Sequence, residues 1–300
     1  MYNSRGDNMD GIILIDKEKG FTSHDVVAKL RKILQTKKIG HSGTLDPEAT
    51  GLLVIGVNKG TKIMKFINQD EKIYQATALV GRTTDTLDDE GTVLEETNVL
   101  SVPENIKEVL AAFQGDYTFE IPLYSAVKVN GKKLYEYARA GTKPDVDLSK
   151  TVHIYDIHLL SEPKLKDQFL YIDYQVHAAK GLYVRALSKD IGAALGYPAY
   201  NYQLRRIKAG KFEIDQAQTL EELQTNAAKV ISLRDALPFV KHIVDEDIYN
   251  NLKHGRKITL ESNEEYLSLI DQEGHLLAVY QKESENTYKA VNVFLEGETR

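Results

Sequence analysis

The chain has 300 residues, a formal net charge of −6 and no cysteine, which excludes a disulfide scaffold, a Cys-ligated zinc site and a thiolate nucleophile. Its length suffices for one large domain, alone or with a small one, around a sizeable core. The eight histidines are scattered without metal-helix spacing, no apolar run approaches the roughly 18 residues of a membrane span and no secretory leader is legible, so no metal, no membrane and a cytoplasmic location are expected.

The negative total argues against a polyanionic partner, but its distribution is uneven. From His177 to Lys211 the chain carries Lys180, Arg185, Lys189, Arg205, Arg206, Lys208 and Lys211 against Asp190, while acids gather after Glu213. On charge alone this is equally a nucleic-acid face or a merely solvated one.

Residues 1–8 are polar and aperiodic, expected to be a disordered leader, with Met9 a candidate start. Gly11–Ile15 reads as a buried strand. Thr22-Ser23 caps a helix whose Val26, Val27, Leu30, Ile33 and Leu34 share one face, and Lys29, Arg31, Lys32, Lys37 and Lys38 make its far end basic. The stretch from Gly40 to Gly51, GHSGTLDPEATG, holds three glycines and a proline and predicts a loop ahead of the buried strand beginning at Leu52. Asp46 within it is, by residue type, a turn former. Asn58–Lys62 lacks the spacing of a P-loop. Tyr74–Val80 reads as a strand in which Tyr74 is core packing by default. Pro103 is read as starting a helix with Ile106, Val109, Leu110 and Phe113 inward, ended by Gly115. Asn130-Gly131 signals a tight turn before a short basic helix, and strands are predicted over Val152–Leu160 and Phe169–Val176. After Leu237 the composition turns acidic, with a helix near Asp245–Leu252 and short strands at Tyr266–Ile270 and Leu276–Tyr280.

Four of these stretches, in order, resemble the motifs of the tRNA pseudouridine-55 synthases. They are the GHSGTLDPEATG string; Lys72-Ile73-Tyr74 with Gly81–Gly91; Ile121–Gly131 with Tyr135–Gly141; and Lys180–Gly192 followed by Leu204–Phe212. Glu18, Leu123, Ala178 and Leu182 depart from the family pattern, none at a proposed catalytic position. The resemblance implies an α+β fold: a large mixed, mainly antiparallel sheet with a central cleft over residues 9–238, an RNA-clamping thumb at about 124–150, and a small β-rich PUA-like RNA-binding domain over 239–300.

It also implies roles. Asp46 would be the essential catalytic carboxylate, Tyr74 would stack on the uracil and serve proton transfer at carbon 5, and Arg185 would orient Asp46. His41 would fill the gap left by the flipped base, Leu204 and Tyr183 would shape the pocket, and Lys17, Lys128, Lys132, Arg139 and Lys180 would contact RNA. The partner expected is the T arm of tRNA, with no cofactor, no obligate protein partner and a monomeric state. A tRNA-binding or folding factor, a guide-RNA-dependent synthase and a nucleoside hydrolase remain as alternatives.

Overall fold

The computed structural model describes residues 9–67 and 71–295; the reading of residues 1–8 as a leader lies outside the described residues. In chain order the strands are β1 (Gly11–Lys17), β2 (Ile39–Ser42), β3 (Thr50–Val57), β4 (Lys72–Val80), β5 (Arg82–Thr84), β6 (Val93–Glu96), β7 (Gly115–Glu120), β8 (Lys128–Val129), β9 (Lys132–Lys133), β10 (Ser149–Leu159), β11 (Lys164–Lys166), β12 (Phe169–Ala178), β13 (Ala199–Ala209), β14 (Phe212–Glu213), β15 (Val240–Ile243), β16 (Ile258–Thr259), β17 (Tyr266–Ile270), β18 (Leu276–Lys282) and β19 (Thr287–Val293). The helices are α1 (Ser23–Ile33), α2 (Met64–Ile67), α3 (Ile106–Ala111), α4 (Leu134–Arg139), α5 (Val184–Ala194), α6 (Glu222–Thr225), α7 (Leu233–Ala236) and α8 (Glu246–Lys253).

The main sheet runs β1-β3-β13-β4-β12-β10-β7, with β2, β11 and β14 attached at its margins. Among the described residues its pairings are antiparallel except β3 with β13, which meet in parallel at Thr50–Arg205 and Gly51–Arg206. The expected mixed, mainly antiparallel sheet is what the chain forms. In β12, Leu170, Ile172, Tyr174, Val176 and Ala178 alternate inward and pack with α3 and α5 into one core. β1 from Ile12 to Ile15 and β3 from Leu52 to Ile55 are instead continuously apolar because both faces are covered: Ile13, Ile15, Leu53 and Ile55 meet α1, while Ile12, Leu14, Leu52 and Val54 form a second cluster.

That second cluster also contains Ile270, Leu276, Val279 and Phe294. The first three lie on, and Phe294 directly follows, a separate five-stranded sheet, β15-β17-β18-β19-β16, which makes the C-terminal region β-rich and consistent with a PUA-like domain. Two local expectations need correction. α3 starts at Ile106, because a turn over Glu104-Asn105 follows Pro103 and Asn105 supplies the first helical carbonyl, to Val109 N–H. The Gly40–Gly51 stretch is a loop only between Gly43 and Ala49, because Ile39–Ser42 pairs antiparallel with Val54–Val57 and turns the segment into a hairpin mouth.

Candidate active site

The register of three neighbouring strands sets the site. β13 lies between β3 and β4, so Arg206 stands beside both Gly51 and Tyr74, and Leu204 beside Ala76. Gly51 has φ +100°, and a Cβ there would run into the Arg206 backbone; only glycine lets the two strands meet where the Asp46 loop ends.

The loop is pinned residue by residue. The Ser23 hydroxyl accepts from Leu45 N–H at 3.0 Å and donates to Leu45 O at 3.3 Å. Ser23 is free for this because Thr22 is the helix cap, closing a capping box with Asp25. The Arg206 guanidinium, buried, donates to Leu52 O at 2.8 Å and Gly43 O at 3.0 Å. Lys17 donates to Phe21 O at 2.7 Å, Glu18 O at 3.0 Å and Pro47 O at 3.1 Å. With its side chain enclosed, Lys17 cannot meet RNA as expected from sequence; it is a strut beneath the loop. Burial lowers its ammonium to about 8, against the opposing pull of Asp46 and Glu48.

Asp46 is thereby presented with its side chain 41% exposed while its Oδ2 accepts from Arg185 Nε at 3.0 Å. Arg185, on the first turn of α5 and 6% exposed, also reaches Asp88 Oδ2 at 3.4 Å, Thr86 O at 2.8 Å and Tyr124 O at 3.0 Å. One guanidinium thus ties together the Asp46 loop, the loop after β5 and the start of the thumb segment. Tyr124 in turn donates to Asp85 Oδ2 at 3.1 Å, a bond that raises its phenol.

Asp46, Tyr74, Tyr183, Arg185, Leu204 and Lys180 all line one cleft of about 610 Å³. The Tyr183 phenol is raised chiefly by burial. Other expected residues lie elsewhere. His41 sits on β2, edge-on to His24 with ring centres 5.4 Å apart, its buried Nδ1 without a partner and its imidazole lowered by burial and then by His24 and Arg206. Lys128 and Lys132 are exposed on the β8–β9 hairpin and Arg139 ends α4, its guanidinium over the Tyr135 ring. The cleft walls also include Lys72, Lys150 and Arg206, none of them singled out from sequence as a site residue. The signal for Arg206 was a cation inside a strand pattern; for Ser23 it was a second hydroxyl beside a sufficient cap.

Comparison with known proteins places the chain in a family. A family model described as the N-terminal domain of TruB family pseudouridylate synthases matches residues 31–184, and one for the C-terminal domain of tRNA pseudouridylate synthase B matches 185–240. The chain belongs to the TruB family. Within it, the chain is 38% identical to tRNA pseudouridine synthase B of Oceanobacillus iheyensis over 95% of this chain and 98% of that protein. It is 39% identical to the protein of that name from Streptococcus pneumoniae, over 95% of this chain and all (100%) of that one. Among solved structures, a chain of an H/ACA RNP bound to a substrate RNA containing 2'-deoxyuridine superposes with TM-score 0.68 at 22% identity, covering 96% of this chain and 86% of that chain. A chain from an archaeal box H/ACA sRNP Nop10–Cbf5 complex gives 0.66 at 21%, covering 95% and 85%. These two likenesses establish the fold of this TruB family member. Among the described residues no helix is long and apolar enough to cross a membrane.

Proposed function

We propose that this chain isomerises uridine to pseudouridine in tRNA, at position 55 of the T loop, with Asp46 as the reacting carboxylate. The observation that carries the reading is the Asp46–Arg185 pair at 3.0 Å, opening on a cleft walled by Tyr74, Tyr183 and Leu204. The family's relatives named tRNA pseudouridine synthase B support the substrate class.

The reaction breaks the N1–C1′ bond, turns the uracil over, joins C5 to C1′ and releases the C5 proton. As the glycosidic bond loosens, positive character grows at C1′, and an oriented carboxylate stabilises it. Asp46 serves either by attacking C1′ or by taking the C2′ proton; the same residue acts in both. Tyr74 stacks on the extruded base and assists proton transfer at C5, with Leu204 and Tyr183 completing the pocket. Extrusion costs a few kcal/mol, which His41 offsets by entering the vacated stack. Lys128, Lys132, Arg139 and Lys180 meet RNA phosphates. The chain works as a cytoplasmic monomer, without cofactor or protein partner, on the T arm.

The test uses a tRNA transcript tritiated at uracil C5. Release of tritium to water by the wild type but not by Asp46→Asn, with no free uracil, is the expected result. No release despite tight tRNA binding would replace the reading with a binding factor or a guide-dependent enzyme, and free uracil would mean a hydrolase.

A further inference from the structure

The cleft's charge is lopsided in a way that the Asp46 chemistry does not use. Its lining side chains include Lys72, Lys150, Lys180, Arg185 and Arg206, and Asp46 is the only carboxylate among them. Arg185 is engaged with Asp46, Asp88 and two carbonyls, and Arg206 with two carbonyls. Lys150 has a different setting. It lies at the start of β10, paired with Phe119, and its half-buried side chain reaches across the sheet edge to the Lys180-Gly181 turn. Gly181 has φ +91°, and a Cβ added there would collide with the Lys150 ammonium, so the absent side chain is what lets the ammonium sit in the turn. No carboxylate lies within ion-pair distance of Lys150 among the described residues.

We propose that Lys150, beside Lys180, clamps a phosphodiester flanking the target nucleotide. The proposal rests on the reading of the cleft as a uridine site. Burial first, and the Lys180 charge second, lower the Lys150 ammonium; the chain holds two like charges together where an incoming anion relieves both burial and repulsion. A chain of net charge −6 repels RNA in bulk, so the cations that receive the backbone have to be gathered at the cleft. A backbone phosphate bound here is shared by every RNA that delivers a uridine to Asp46, so the clamp fixes position and carries no base specificity.

The experiment uses the full chain and three stem-loop RNAs of the T arm. One is unmodified, and the others carry a neutral methylphosphonate on the 5′ or the 3′ side of the target uridine. Turnover is followed by tritium release and affinity by filter binding, for wild type, Lys150→Gln and Lys150→Arg. On unmodified RNA, Lys150→Gln is expected to weaken KM and Kd about tenfold, with kcat changed less than threefold. Its salt dependence of log Kd should be shallower by about 0.7, and Lys150→Arg should restore most of the loss. On whichever RNA has lost the contacted charge, wild type and Lys150→Gln should bind alike, which also assigns the 5′ or 3′ phosphodiester. Equal impairment of Lys150→Gln on all three RNAs, or no impairment on any, overturns the clamp. Turnover without the Lys150 cycle overturns the clamp alone; the binding cycle without turnover overturns the functional reading alone.

Discussion

Arg185→Met keeps much of the buried aliphatic stem and removes the guanidinium from a side chain only 6% exposed. Four acceptors lose a donor: Asp46, Asp88, Thr86 O and Tyr124 O. Asp46 is well enough exposed for water to replace the lost bond, and Asp88 keeps Thr86 Oγ1 and Glu90 N–H as donors, so neither carboxylate is stranded outright. Breaking a buried pair costs about 3–5 kcal/mol, and the retained donors place the expected loss at the lower end, about 3 kcal/mol. For a chain of this size each kcal/mol moves Tm by about 2–4 °C, so the variant should melt roughly 6–12 °C lower and remain folded at assay temperature. Its catalytic loss should be larger. Without Arg185 the Asp46 carboxylate is no longer preorganised, and loss of one such preorganising group costs about 10²–10³ in kcat. Tritium release from C5-labelled tRNA measures the rate, and filter binding measures Kd on the same preparation. The expected outcome is a kcat defect at least tenfold greater than the Kd defect. Equal losses in both, or full activity in a folded variant, would refute the claim that Arg185 acts through Asp46.

Ser23→Ala removes both bonds that hold Leu45 and leaves a buried N–H and C=O unpaired, for about 1–3 kcal/mol of stability by denaturant titration and a fall in kcat with little change in Kd. Gly51→Ala meets the Arg206 backbone at positive φ and should lower Tm far more than Gly196→Ala, which has φ +84° but open space for its Cβ; comparable shifts would show that the close approach is unimportant. Lys17 titrates near 8 in the folded chain and at its ordinary 10.5 when unfolded. Both states are protonated below pH 8. Between the two values the unfolded chain holds more protons, so this residue's contribution to stability rises with pH, while the neutral amine keeps only two N–H for the three carbonyls that the ammonium serves, Pro47 O among them. Wild-type kcat should therefore decline above pH 8 as unfolding free energy attributable to Lys17 increases, and Lys17→Met should show neither trend in paired denaturation and rate profiles.

How much of this was legible depended on whether an interaction leaves a local mark. Periodicity sufficed for α1 and β12, where one face meets a core and the other meets solvent. The apolar runs of β1 and β3 announced double burial but not which layers supply it, since one of those layers lies more than 200 residues downstream, at Ile270 and Leu276. At the site, Asp46 and Arg185 were reached through motif resemblance, and their separation in sequence would have hidden the pair otherwise. The struts were invisible for a common physical reason. Ser23, Lys17 and Arg206 all bond to backbone atoms of the loop, and a carbonyl has no sequence identity to pattern against: Arg206 reaches Gly43 across 163 positions. The RNA contact expected of Lys17 came from motif resemblance alone, and a matching motif carries no information on burial; only its enclosure shows it to be a strut.

The second cluster of the core ties the C-terminal sheet to the main one. Ile12, Leu14, Leu52 and Val54 are shared between the main sheet and side chains of β17, β18 and Phe294, so the small domain is packed against the strands that carry the site. β1 ends at Lys17, whose ammonium holds Pro47, and β3 begins at Thr50, one residue before the Gly51–Arg206 approach. A contact whose apolar side chains lie on the same two strands as these anchors supports the loop geometry directly. Removing residues 239–300 would expose those side chains to water, at about 25 cal/mol for each Å² uncovered. The loss would fall on the strands that present Asp46.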